Sequence, residues 1–94
     1  MKLGQVEQQP QERRSYSIQY QEALHDGDSL ESASAIAEPA GLVVEHVSIF
    51  DEETRVRFWV RGGVSGVTYK VTVTVETRDG ERLQDEIVVK VKEV

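Results

Sequence analysis

The stretch Val67–Val75, Val-Thr-Tyr-Lys-Val-Thr-Val-Thr-Val, places apolar residues at every odd position and polar ones at every even position. Strict alternation in β-branched and aromatic residues is the signature of a strand with one face on a core and the other toward water. Gly62, Gly63 and Gly66 precede it and Asp79-Gly80 follows it, so turn chemistry closes both ends. The run Arg82–Lys92 repeats the pattern, with Ile87, Val89 and Val91 inward and Glu86, Val88, Lys90 and Lys92 outward. Joined by Asp79-Gly80, the two runs predict a long antiparallel hairpin.

The rest of the chain reads in the same alphabet. Ser15–Tyr20 alternates, with Tyr16, Ile18 and Tyr20 on one side. Gln21–Ser29 is a connection, with a helical turn expected at Glu22–His25, Leu24 plugging one end of the core, and a tight turn at Asp26-Gly27-Asp28. Leu30–Ala37 predicts a strand with Leu30, Ser32, Ser34 and Ile36 on one face, ended by Glu38-Pro39-Ala40-Gly41. Leu42–Phe50 starts with Leu42 and Val44 and shifts phase to Val47 and Ile49, which predicts a bend or bulge near Glu45-His46. After the acidic turn Asp51-Glu52-Glu53, Thr54–Arg61 sets Val56, Phe58 and Val60 against Arg55, Arg57, Trp59 and Arg61.

Short strands spaced by turns predict an all-β sandwich of about six to seven strands over residues 15–94. Residues 1–14, rich in Gln around Pro10 and ending in Arg13-Arg14, carry too little apolar surface to order themselves and are expected to be a flexible N-terminal arm. The segment Gly62–Val73 resembles the approach to the penultimate strand of immunoglobulin-like and fibronectin-III-like antiparallel domains. The resemblance implies that the Tyr69 hydroxyl bonds back to upstream backbone in the Gly62–Gly66 loop.

Several function classes find no support. Seventeen acids against eleven Lys and Arg in 94 residues give −6, which opposes broad binding to nucleic acid or anionic lipid. No cysteine is present, so thiolate nucleophiles, thiolate metal sites and disulfides are excluded. His25 and His46 have no recognisable nucleophile partner, and no phosphate-binding loop or dinucleotide fingerprint occurs. No catalytic residue, cofactor or metal is assigned. The apolar runs are too short for a membrane-spanning helix, and the opening residues, polar almost at once, lead us to expect no secretory signal.

The unusual set is Arg55, Arg57, Trp59 and Arg61, three guanidiniums and an indole on one strand face of an acidic chain. Cross-strand pairing with Glu or Asp is one arrangement. A binding interface, with Arg13 and Arg14 of the arm contributing, is a second, because Trp and Arg are enriched anchors of such surfaces. A third turns Trp59 inward and Phe58 outward.

The segments Gly27-Asp28-Ser29-Leu30-Glu31-Ser32, Glu38-Pro39-Ala40-Gly41-Leu42, Phe58-Trp59-Val60-Arg61-Gly62-Gly63 and Gly66-Val67-Thr68-Tyr69 occur in this order. They resemble a family of small tailed-phage structural proteins, the fibre–tail adaptors, whose pattern reads Gly-Asp-Thr-Ile-x-Ser, Pro-x-Gly-Leu and Trp-Leu-Ser-Gly-Gly-Thr-x-Gly-x-x-Tyr. Ser29-Leu30, Arg61 and Val64 depart from it. The resemblance covers about Tyr16 to Val94. It implies a non-enzymatic virion component, assembled in the bacterial host cytoplasm, whose partners are other phage structural proteins (tail, fibre or capsid subunits) or further copies on a symmetric scaffold. A capsid decoration or cement protein and a generic Ig-like surface-binding module are the alternatives.

Overall fold

A computed structural model describes residues 2–93, which form seven strands in two sheets. They are β1 (Lys2–Gln8), β2 (Arg13–Gln19), β3 (Leu30–Glu38), β4 (Leu42–Phe50), β5 (Arg55–Gly62), β6 (Thr68–Thr77) and β7 (Arg82–Val91). Sheet A has the order β1-β7-β6-β3 and sheet B the order β2-β5-β4, packed face to face as a sandwich. The core lies between them and is dominated by valines from β5, β6 and β7, with Phe58, Tyr69 and Leu30 among its largest fully buried side chains.

The two alternating runs behave as their pattern dictates. β6 and β7 pair antiparallel from Thr68 opposite Lys90 to Glu76 opposite Arg82, and the turn closes with Thr77 N–H donating to the Glu81 carbonyl at 2.9 Å. Tyr69, Val71, Val73, Val75 and Val89 are at most 1% exposed. Fully burying one such aliphatic side chain contributes roughly 1.5–3 kcal/mol, so this hairpin is the largest single source of core stabilisation. The Tyr69 hydroxyl accepts the Val64 N–H at 2.9 Å, tying the Gly62–Gly66 loop to the strand that follows it. Gly63 is needed there. Its φ is +92°, and a Cβ on it would stand 2.7 Å from Val91 Cγ2.

Four expectations are corrected. The expected flexible arm is, over Lys2–Gln8, strand β1, and Arg13-Arg14 opens β2. β1 runs parallel to β7, so the sandwich is not wholly antiparallel. The physical reason is that β7 offers an unpaired edge beyond β6, and Val6 packs against the core while Gln8 is buried outright. The ends of the expected arm and domain, Met1 and Val94, lie outside the described residues. In β3 the four residues expected on one face do not all share it: Ser32, Ser34 and Ile36 do, and Leu30 does not. A register irregularity between Leu30 and Ser32 shifts the phase, so Ala33, Ala35 and Ala37 face the core while Ile36 is 63% exposed. The helical turn expected at Glu22–His25 is a single 3-10 turn at Gln21–Ala23, with Leu24 packed against the core after it.

Candidate functional site

The outer face of sheet B is built around β5. As the central strand of that sheet it has neighbours on both sides, and Val56, Phe58 and Val60 are all 0% exposed. Alternation then forces Arg55, Arg57, Trp59 and Arg61 outward, which overturns the arrangement with Trp59 inward and Phe58 outward. The register sets Trp59 between Ser15 of β2 and Glu45 of β4, Arg57 between Ser17 and Ser48, and Arg61 between Arg13 and Val43.

The expected irregularity in β4 is present and shapes this face. The pairing slips between Glu45 and Ser48, and His46 takes φ 52°, a left-handed conformation costly for a residue with a Cβ. Glu45 and Phe50 are five residues apart, a spacing that would send them to opposite faces of a regular strand. The bulge absorbs one residue and brings both to the outer face, one on each side of Ser48.

Glu45 then serves two cations. It accepts from Arg61 Nε at 2.9 Å and from Arg13 Nε at 3.3 Å. The Arg61 guanidinium foremost, assisted by Arg13, holds the Glu45 carboxyl below its ordinary range against a smaller opposing effect of desolvation. The Arg13 guanidinium also lies 4.2 Å from the Trp59 ring centroid, and that of Arg57 lies 4.7 Å from the Phe50 centroid. Both are cation–π distances. Arg55 pairs with Asp51 at 3.1 Å. Among the described residues no carboxylate lies within ion-pair distance of Arg57. A shallow depression of about 450 Å³ is lined by Arg13, His46, Val47, Ser48, Arg57 and Trp59.

Five of the six residues singled out in the sequence therefore converge: Arg13, Arg55, Arg57, Trp59 and Arg61. Arg14 does not. It stands opposite Val60 on the other side of β2 and pairs with Glu12 at 3.4 Å. The arrangement is a held platform of guanidiniums and aromatic rings, with Arg57 left able to take a carboxylate from outside. Among the described residues no group of three or more His, Asp or Glu is placed to hold a metal ion.

Two polar features beneath the surface had no sequence signal. Gln8, 1% exposed, donates to the Val60 carbonyl at 2.8 Å and the Glu12 carbonyl at 3.1 Å and accepts from the Tyr16 hydroxyl at 2.8 Å, so it bridges the two sheets. The Tyr20 hydroxyl is buried facing the Asp85 carboxylate, and burial first, then that carboxylate, pushes its pKa well up. A Gln inside a Gln-rich segment and an Asp on an alternating strand look like solvated residues until the second sheet is in place.

Among curated proteins, none matches the chain. Residues 8–90 match the model of the family described as "Podophage GP4 fiber-tail adaptor protein gp77". The match runs from the buried Gln8 to Lys90, near the end of β7, and includes every strand of sheet B. The chain therefore belongs to the podophage fibre–tail adaptor family, structural components of the phage virion tail.

Proposed function

We propose that the protein is a non-enzymatic adaptor joining fibre to tail, and that it meets a neighbouring virion subunit through the outer face of sheet B. The observation that carries this reading is the family match over residues 8–90, which takes in the whole Arg/Trp platform. Half-buried Trp59 under Arg13, with Arg57 free of any carboxylate among the described residues, has the composition of an interface anchor and not of a solvated sheet face. The family's tail assignment favours a tail position over the head lattice of a cement protein. We also read the fold as Ig-like. Support comes from the strand order, with the first strand running parallel beside the last, and from the Tyr69 hydroxyl bond into the preceding loop.

The test is incorporation. Arg57→Glu, which gives up only the exposed contact with Phe50, should lower folding stability by no more than about 1 kcal/mol, yet particles carrying it should lack the protein by mass spectrometry or lack fibres by imaging. Parental amounts of the variant in fibre-bearing particles would overturn the assignment of this face.

A further inference from the structure

We propose that the open flank of the sandwich between β1 and β2 takes an extended segment of another protein as a further strand of sheet B, with a lysine or arginine of that segment seated against Asp85. The site is separate from the outer face of sheet B and stands or falls independently of it.

Four strands face three, so sheet B is one strand narrower than sheet A. On one flank β3 and β4 lie against each other and close the sandwich. On the other, β1 and β2 are tied at the Gln8 end, where the Tyr16 hydroxyl donates to Gln8 at 2.8 Å. Beyond that bond lies a cleft of about 370 Å³, with Gly4 and Val6 on one wall, Ser17 and Gln19 on the other, and the buried Ile18 and Ile87 at its floor. A Cβ on Gly4 would meet nothing within 4 Å, so that wall leaves room.

The β2 wall is a template for pairing. Tyr20 N–H donates to the Thr54 carbonyl at 2.9 Å, which fixes the even-numbered residues of β2 as those bonded to β5. Ser17 and Gln19 therefore turn their backbone N–H and C=O away from β5, and among the described residues no strand pairs with that edge.

The cleft continues past Ile18 into a more closed recess of about 240 Å³, walled by Tyr20, Ala23, Leu83 and Asp85. Asp85 is 8% exposed, and among the described residues no cation lies within ion-pair distance of it. Tyr20 is 3% exposed, and its hydroxyl makes no hydrogen bond. A carboxylate and a hydroxyl held out of water without partners are costly. An ammonium or guanidinium entering the recess donates to both, and its aliphatic stem packs along Ile18 and Leu83.

Strand geometry sets the spacing. Inward side chains on an added strand stand two residues apart, about 7 Å, as Ile18 and Tyr20 do. One enters the apolar cleft level with Ile18, and the other reaches Asp85 level with Tyr20. Antiparallel pairing is the more stable per residue, so the segment reads basic, any residue, apolar from its N-terminal side. Main-chain bonds to Ser17 and Gln19 supply affinity, and the two recesses supply selection. Arg14, the cation on the inward side of β2, is already paired with Glu12 at 3.4 Å, so a second copy laid edge to edge does not provide the charge.

The test is nuclear magnetic resonance on the full, nitrogen-labelled chain, titrated with the acetylated and amidated peptide Thr-Lys-Thr-Val-Thr. The amide signals of Ser17, Gln19 and Asp85 should move together and saturate, with a Kd of about 1 mM. The same peptide with Glu in place of Lys should bind at least about tenfold more weakly. Asp85→Asn should remove that preference and bind the two peptides alike. Ser17→Pro, which takes away an edge N–H and leaves Asp85 in place, should bind neither. Circular dichroism checks that both variants are folded, and the comparison of Lys with Glu peptides needs the parent alone. A parent spectrum unchanged at about 10 mM peptide, where a millimolar Kd would be close to saturation, overturns the inference. So do equal affinities of the parent for the two peptides, or movement confined to the outer face of sheet B. Signals at the β2 edge that move with protein concentration alone would give the flank to a second copy and overturn the choice of partner.

Discussion

Replacing Gln8 by Ala removes a side chain that the sequence places in a polar tail and the structure places in the core. Gln8 makes three hydrogen bonds, to the Val60 and Glu12 carbonyls and from the Tyr16 hydroxyl, at 1% exposure. A neutral hydrogen bond contributes about 1 kcal/mol net, and a buried partner left unpaired adds to the loss. The sum is about 3 kcal/mol, which in a domain of this size lowers the melting temperature by roughly 12–24 °C. The neighbouring Gln9 is exposed, and Gln9→Ala should change stability by no more than about 0.5 kcal/mol. Thermal melts followed by far-ultraviolet circular dichroism read both variants, and the fluorescence of the one tryptophan reports sheet B separately. A Gln8→Ala protein that melts within about 2 °C of the parent would refute the reasoning, because β1 would then be a detached arm and the bridge between the sheets would contribute nothing.

Other perturbations test other parts of the account. Gly63→Ala combines a φ of +92° with a 2.7 Å approach to Val91 Cγ2, so it should cost about 2–4 kcal/mol by chemical denaturation, and a loss under 0.5 kcal/mol would contradict the packing of that loop. Glu52, exposed with φ 56°, makes Glu52→Gly a stabilising change of about 0.5–1 kcal/mol, and a destabilised variant would show that the turn holds other constraints. The His25 imidazole lies 2.6 Å from Glu81, whose hydrogen bond and charge raise the histidine pKa above its ordinary value. The contribution of this pair to stability is therefore full below the ordinary histidine range and lost as pH rises through the raised pKa. An NMR titration should find the His25 pKa lowered in Glu81→Gln, and an unchanged value would refute the pairing.

Legibility in the sequence followed the length over which a pattern was sustained. The β6–β7 hairpin, the role of Tyr69 and the outward set on β5 were readable because alternation runs uninterrupted through valines. The bulge in β4 was readable because Leu42 and Val44 fall out of phase with Val47 and Ile49. The phase break in β3 was not, because Ser and Ala differ too little in hydrophobicity for an irregularity at Glu31 to leave a mark, and Ile36 falls in step with Leu30 by sequence spacing alone. β1 was hidden for a related reason. Its inward residues include Gln8, a polar side chain satisfied only by groups on β5, β2 and the turn between β1 and β2, so its burial exists only in the tertiary structure. Of the platform, the strand-borne cations were visible, while Glu45 and Phe50 reach it only through the bulge.

The most direct test is a near-atomic image of the assembled tail, in which the surroundings of Arg57 and Trp59 can be measured. The account predicts that Trp59 is covered by a neighbouring subunit and that a carboxylate of that subunit lies within ion-pair distance of the Arg57 guanidinium. A tail in which the outer face of sheet B is bare to solvent, with neighbouring subunits bound elsewhere on the sandwich, would contradict it.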